Sequence, residues 1–312
     1  MSPPPKPPAA WFGPPLVALG AALWATDSVF RAAVAPRYSA LFIVFLNHCL
    51  CLLPALPVLV SRRRTLRAFL PRDWLALAFI SVLGSVVAMV FFTKAFATAS
   101  NYSVPVLVQK LQPLFAIALA RGLLKERVGR LFPLWAVLAC GGAYLVSFGF
   151  GNAFDALQPK EATAVLYALL AAAIWGATTV AGRFLLGGRD FLFVTAARFT
   201  FGTVFIFLLC WLSGELAPLS SAIRDDLGDF LGMAFLSGLL PLLIYYLGLQ
   251  STPASLATLC ELAFPLAAIV INWIFLQSPL TAGQLAGAAV LFAAITAMTI
   301  DRRSGQPPAV EA

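Results

Sequence analysis

The chain has 312 residues, 61% of them hydrophobic and 11% charged, with a formal net charge of +8 and a mean hydropathy of +0.91. Soluble domains run near ~25% charged, so this chain lacks the polar surface that would coat a water-facing globule. The basic excess does not point to nucleic acid, because most Lys and Arg residues lie in short clusters between apolar runs.

Residues 1–15 read SPPPKPPAA and then WFGPP, which is too proline-rich for a helix and lacks the order of a signal peptide. They are expected to form a disordered cytoplasmic leader. Ten apolar runs follow, each close to the ~20 residues that a helix needs to cross the hydrocarbon core. The first five are Leu16 to Val34, Ala40 to Val60, Trp74 to Phe92, Val104 to Ala120 and Leu131 to Phe150. The second five are Ala164 to Ala181, Phe191 to Leu212, Phe230 to Leu247, Leu256 to Leu276 and Ala282 to Ile300. Residues 301–312 are expected to be a disordered cytoplasmic tail. The five cysteines all fall inside apolar runs and read as small buried residues, not as a disulfide framework.

Basic residues cluster after the second span (Arg62, Arg63, Arg64, Arg67, Arg72), the fourth (Arg121, Lys125, Arg127, Arg130), the sixth (Arg183, Arg189) and the tenth (Arg302, Arg303). The opposite side carries Arg31, Arg37, Lys160 and Arg224. By the positive-inside rule both termini are expected in the cytoplasm of a cell whose inner membrane holds the chain.

A shift of 152 positions lays Pro113 on Pro265, Ser103 on Ser255, Leu107 on Leu259, Leu124 on Leu276 and Gln109 on Glu261. Trp24 and Trp175 occupy matching places in the first span of each half. The halves are thus residues 16–152 and 161–300, and five spans per half force the second to enter the membrane from the opposite side. The predicted fold is all-α and integral to the membrane: ten transmembrane helices in two inverted five-helix repeats around a central cavity. Such repeats place a small-molecule site near the midplane and expose it by rocking.

A charge inside a spanning helix costs ~2.5–3.5 kcal/mol and so faces the bundle interior or a wet cavity. Five such residues stand out: Asp27, Lys94, Lys110, Arg198 and Glu261. Lys110 and Glu261 each lie about 12–14 Å into equivalent spans, counted at 1.5 Å per residue from Asn101 and Pro253. They either line the cavity and hold the charged ends of a zwitterion, with Glu261 a candidate proton carrier, or form a static salt bridge. Asp27 either lines the cavity or partners Arg31 or Lys94, and Lys94 can snorkel to the outer interface. Arg198 reads as structural or gating, paired with a helix end or an acid. Trp24, Trp175, Thr178 and Gln109 are further cavity candidates, Gln109 and Gln112 facing different sides of one helix. His48 reads as a packed residue. Tyr245 and Tyr246 stand near a helix end and read as belt residues. Pro113 and Pro265 kink their helices. Gly283 and Gly287 form a GxxxG, which suits close packing within a monomer or a homodimer contact.

These features resemble the EamA-like members of the drug/metabolite transporter superfamily over roughly Leu16 to Ile300. The resemblance is carried by Trp24-Ala25-Thr26 and Trp175-Gly176-Ala177-Thr178, by Ser103-Val104-Pro105 through Gln112-Pro113 to Lys125-Glu126-Arg127, and by Leu259-Cys260-Glu261-Leu262-Ala263-Phe264-Pro265 leading to Thr281, Gln284 and Gly287. Family members often carry Arg in the second helix of each half, matched by Arg198 but by Asn47 in the first half. They often carry Glu after the fourth, matched by Glu126 but by Ser278 in the second half. The resemblance implies a secondary transporter, an exporter or exchanger of a small polar metabolite such as an amino acid. Lipids and protons are its other expected partners; no cofactor, metal or nucleic acid is expected. A channel or scramblase is the alternative. A membrane-embedded enzyme is less favoured, because there is one His, no HExxH and no G-x-S-x-G.

Overall fold

The structure is a computed structural model and describes residues 11–34, 36–98, 108–109, 111–126, 129–151, 162–276 and 281–304. Among these residues every regular element is helical. In chain order they are α1 (Gly13–Trp24), α2 (Asp27–Val34), α3 (Ala40–Ser61), α4 (Pro71–Ala78), a π-helical stretch (Phe79–Val87) and α5 (Ala88–Thr98). Then come α6 (Gln112–Leu123), α7 (Phe132–Phe148), α8 (Ala162–Leu186), α9 (Phe191–Leu212) and two short helices, α10 (Leu219–Asp225) and α11 (Leu227–Gly232). A second π-helical stretch (Met233–Leu239) leads into α12 (Leu240–Leu249), followed by α13 (Ala254–Cys260), α14 (Ala263–Leu276) and α15 (Ala282–Ser304).

Among the described residues six helical runs are long and apolar enough to cross a membrane: Ala40–Ser61, Pro71–Phe92, Ala162–Leu186, Phe191–Leu212, Leu227–Leu249 and Ala254–Phe275. The predicted first span is divided at Ala25–Thr26, and part of the predicted fourth lies outside the described residues. The outer surface is apolar, with Leu53, Val60, Leu75, Trp211, Leu212 and Phe292 all exposed, which suits lipid and not water. Helix α1 begins at Gly13, inside the stretch expected to be a disordered leader. Pro14 stands in its first turn, where the absent N–H has no intrahelical partner to lose.

The repeat is visible in local structure. The helices α3 and α9 start at matching places, each with a side-chain cap: Ser39 Oγ accepts from Phe42 N at 3.1 Å, and Asp190 Oδ1 accepts from Phe193 N at 2.9 Å. The two π-helical stretches occupy matching parts of the third span of each half.

The halves exchange partners. Helix α1 packs antiparallel on α12, with Gly13 against Gly248 and Gly20 against Pro241 and Tyr245. The end of the first half's third span packs in the same way on α8, where Phe91 stacks on Tyr167 and Gly84 meets Thr178. The spans α3 and α9 cross through Phe45–Phe207 and His48–Phe199. Helices α7 and α15 close the far side. A Cβ on Gly142 would come within 2.7 Å of Leu291 N, and one on Gly287 within 2.6 Å of Val146 N. The GxxxG face is therefore occupied within the chain.

Ion pairs tie both ends of the bundle. At one end Arg62 pairs with Asp190 and Arg189 with Asp73. At the other, Arg37 pairs with Asp226, Tyr38 OH donates to Asp226 at 2.6 Å, and Ser39 bonds Glu215.

Candidate functional site

The polar centre forms where helices are interrupted. The ninth predicted span breaks between α13 and α14, and Glu261 sits in that break, four residues ahead of Pro265. Its first-half counterpart resumes as α6 at Gln112, one residue ahead of Pro113. A prolyl residue withholds one N–H, so the preceding turn is freed to turn its polar groups inward. Every residue of α13 is buried, whereas Glu261, just past its end, is half-buried as a residue.

Three neutral donors from three helices converge on Glu261. Thr179 Oγ1 of α8 donates to Oε1 at 2.9 Å, Tyr245 OH of α12 donates to Oε1 at 2.7 Å, and Gln112 Nε2 of α6 donates to Oε2 at 2.7 Å. The Trp24 ring, at the break between α1 and α2, lies 5.0 Å from the Tyr245 ring. Gly176 makes the approach of α6 and α8 possible, since a Cβ there would stand 2.9 Å from Gln112 O.

A second group surrounds Arg198 of α9. Its Nε donates to Ser85 Oγ at 3.0 Å, its guanidinium donates to Tyr246 OH at 2.6 Å, and it lies 5.7 Å from the centre of the Tyr246 ring. Among the described residues no carboxylate is within 4.0 Å of it. The two groups meet through Tyr245 and Tyr246, whose rings are 5.8 Å apart. Trp175 Nε1 donates to Gly84 O at 3.1 Å in the first π-helical stretch, where the looser hydrogen-bond pattern exposes that carbonyl. Thr178 Oγ1 turns back to Trp175 O at 2.8 Å.

The other expected residues fall as follows. Asp27 forms a two-point contact with Arg31 and accepts from Ser237 Oγ at 3.2 Å, so its partner is Arg31 and not Lys94. Lys94 is exposed, with its ammonium 5.9 Å from the Tyr167 ring. Gln109 is partly buried, while Pro113 and Pro265 are buried. His48 is buried, with Nδ1 2.9 Å from Val44 O. Lys110, with Ser103 and Pro105, lies outside the described residues.

Several residues at this centre, Thr179, Tyr245, Tyr246 and Gln112 among them, are not those the sequence singled out. Tyr245 and Tyr246, expected in an interfacial belt, are 4% and 1% exposed and hold Glu261 and Arg198. Close packing of α1 on α12 through Gly20 and Gly248 turns this part of α12 into the bundle. Gln112, not Gln109, is the glutamine seen bonding Glu261, because the interruption at Leu111 resets the helical phase on which the comparison depended.

Outside this centre, Glu126 accepts from Ala254 N at 2.7 Å, Ser255 N at 3.0 Å and Ser255 Oγ at 2.6 Å. It thereby caps α13, the segment that leads to Glu261.

The fold and its centre define a polytopic α-helical membrane protein whose two repeats share one polar site. The chain belongs to the EamA-like transporter family, whose model matches residues 11–148 and again residues 162–300. It is 30% identical over 287 residues to a protein named riboflavin transporter ImpX from Fusobacterium nucleatum subsp. nucleatum, a match covering 90% of this chain and 95% of that one. A solved crystal structure shares the fold with a TM-score of 0.71 at 16% identity, covering 93% of this chain and 98% of the other. Family and relative make the chain a multi-pass membrane transporter of a small molecule, and point away from an enzyme.

Proposed function

We propose that the chain is a ten-span secondary transporter, both termini cytoplasmic, that carries a flavin-like planar heterocycle across the cell membrane by alternating access. The observation that carries this is the Glu261 carboxylate, held by neutral donors where the broken helices of the two halves meet, beside the Trp24–Tyr245 ring pair. A flat ring with a polar edge suits aromatic walls with a few fixed polar groups. The riboflavin relative supports the choice of flavins over amino acids. The zwitterion reading depended on Lys110, which lies outside the described residues, and the donors the structure shows on Glu261 are all neutral.

The test is riboflavin flux in proteoliposomes loaded on either side, with and without a pH gradient, beside amino acids as competitors. Riboflavin should move above the empty-liposome rate, and Glu261→Gln should lower that rate at least tenfold. If only the wild type responds to the pH gradient, Glu261 also carries the proton. No riboflavin flux, or flux that amino acids abolish, would refute the flavin assignment.

A further inference from the structure

Glu261 and Gln112 together offer more than two polar groups. A carboxylate has about four acceptor positions. Thr179 and Tyr245 take two on Oε1 and Gln112 takes one on Oε2, so among the described residues an acceptor position on Oε2 is left beside the Gln112 amide. Among the described residues, the second N–H of Gln112 has no partner. The result is an acceptor next to a donor, with Thr179 and Tyr245 holding the acceptor and the start of α6 placing the donor.

We propose that Glu261 and Gln112 form a reading edge for a cyclic imide or lactam, Glu261 Oε2 accepting the ring N–H and Gln112 Nε2 donating to the neighbouring C=O, while the ring lies against the half-buried Trp24. The proposal rests on the flavin assignment above and specifies which end of such a ligand the site reads. Ring edges with N–H beside C=O are read this way where proteins take up single bases, by paired hydrogen bonds with aromatic stacking. A free hydroxyl, both donor and acceptor, satisfies either group alone and needs no such pair. A carboxylate inside the bundle discriminates, because a ligand lacking the N–H leaves that oxygen short of a partner.

The experiment measures binding to the purified full chain in lipid nanodiscs by quenching of ligand fluorescence, using two matched pairs: riboflavin with 3-methylriboflavin, and lumichrome with 3-methyllumichrome. The methyl group removes the imide N–H and leaves the ring. Each methylated compound should bind about 10- to 100-fold more weakly than its parent, the range for losing a hydrogen bond to a charged group. Glu261→Gln should shrink that penalty to within about threefold, whereas Gln112→Ala, which removes the donor to the C=O and leaves the carboxylate in place, should weaken parent and methylated compound alike and keep the penalty. Equal binding of riboflavin and 3-methylriboflavin overturns the edge and leaves the flavin assignment standing. Lumichrome discriminated with riboflavin unbound sinks the flavin assignment and keeps the edge. If no member of either pair binds, both are overturned.

Discussion

Glu126 lies far from the central carboxylate, yet its removal should reach it. The side chain gives two backbone donors and one hydroxyl of α13 their acceptor, and α13 ends one residue before Glu261. Loss of a helix cap costs about 0.5–2 kcal/mol, with the upper end expected when backbone donors are left inside protein. Glu126 is only partly buried, so solvent screens some of its charge; we take about 2 kcal/mol for Glu126→Ala. At about 2–4 °C per kcal/mol in domains of 150–250 residues, and less in longer chains, the melting temperature should fall by about 4 °C. Glu126→Gln keeps one carbonyl acceptor and should lose roughly half as much. The assay is thermal unfolding of the detergent-solubilised chain followed by tryptophan fluorescence, run on Glu126→Ala, Ser255→Ala and the double variant. A coupling of about 1 kcal/mol between the two sites is expected from their shared hydrogen bond. Additive effects, or a Glu126→Ala melt within about 1 °C of wild type, would refute the cap.

Three further outcomes follow from the packing and the charges. Gly287→Leu should drive a side chain into the Leu145–Val146 backbone and cost at least ~1–3 kcal/mol, seen as aggregation or early elution in size-exclusion chromatography. Asp27→Asn and Arg31→Gln should each destabilise more than the double substitution, because either alone leaves a partly buried charge without its partner; melting curves of the three variants decide this. The Tyr38 phenol is raised above its ordinary value of 10.0, first by its hydrogen bond to Asp226 and then by burial. Its contribution is therefore complete below pH 10 and lost as pH rises through the raised value, so Tyr38→Phe should flatten the alkaline end of the stability curve.

Hydropathy and the 152-residue register were enough to read an all-helical membrane fold with two repeats, because a bilayer demands long apolar runs and a repeat must keep its prolines in phase. Glu261, Trp24 and Trp175 were visible as polar or amphipathic residues deep in apolar runs. Gln112, Thr179 and Tyr245 were not, for three different reasons. Gln112 competes with Gln109 on an assumed continuous helix that is in fact interrupted. Thr179 is one of two adjacent threonines, and only the tertiary contact with Glu261 tells it from Thr178. Tyr245 looks interfacial by its distance from the end of its span, and the glycines that let α1 cover it lie more than two hundred positions earlier in the chain. The Glu126 cap was foreshadowed only as a family pattern; its role depends on a contact 128 positions away.

The interruptions explain why the polar centre sits at the contact between the halves. A continuous helix satisfies its own backbone and offers a ligand only side chains, whereas a break or a π turn frees carbonyls and re-aims the residues beside it. Here the breaks ahead of Pro113 and Pro265 bring Gln112 to Glu261, and the two π-helical stretches supply Gly84 O to Trp175 and Ser237 to Asp27. Each contact joins an interrupted span of one half to an element of the other. The second half's counterpart of Gly84 O is therefore not a second carbonyl bond but the Asp27–Ser237 contact, so the repeat conserves where spans are interrupted and varies what the interruptions hold. Relative movement of the halves must then change the surroundings of Glu261, because its donors Gln112, Thr179 and Tyr245 are drawn from both halves of the chain. A ligand that bridges Glu261 and Gln112, as proposed above, is consequently a ligand that bridges the repeats.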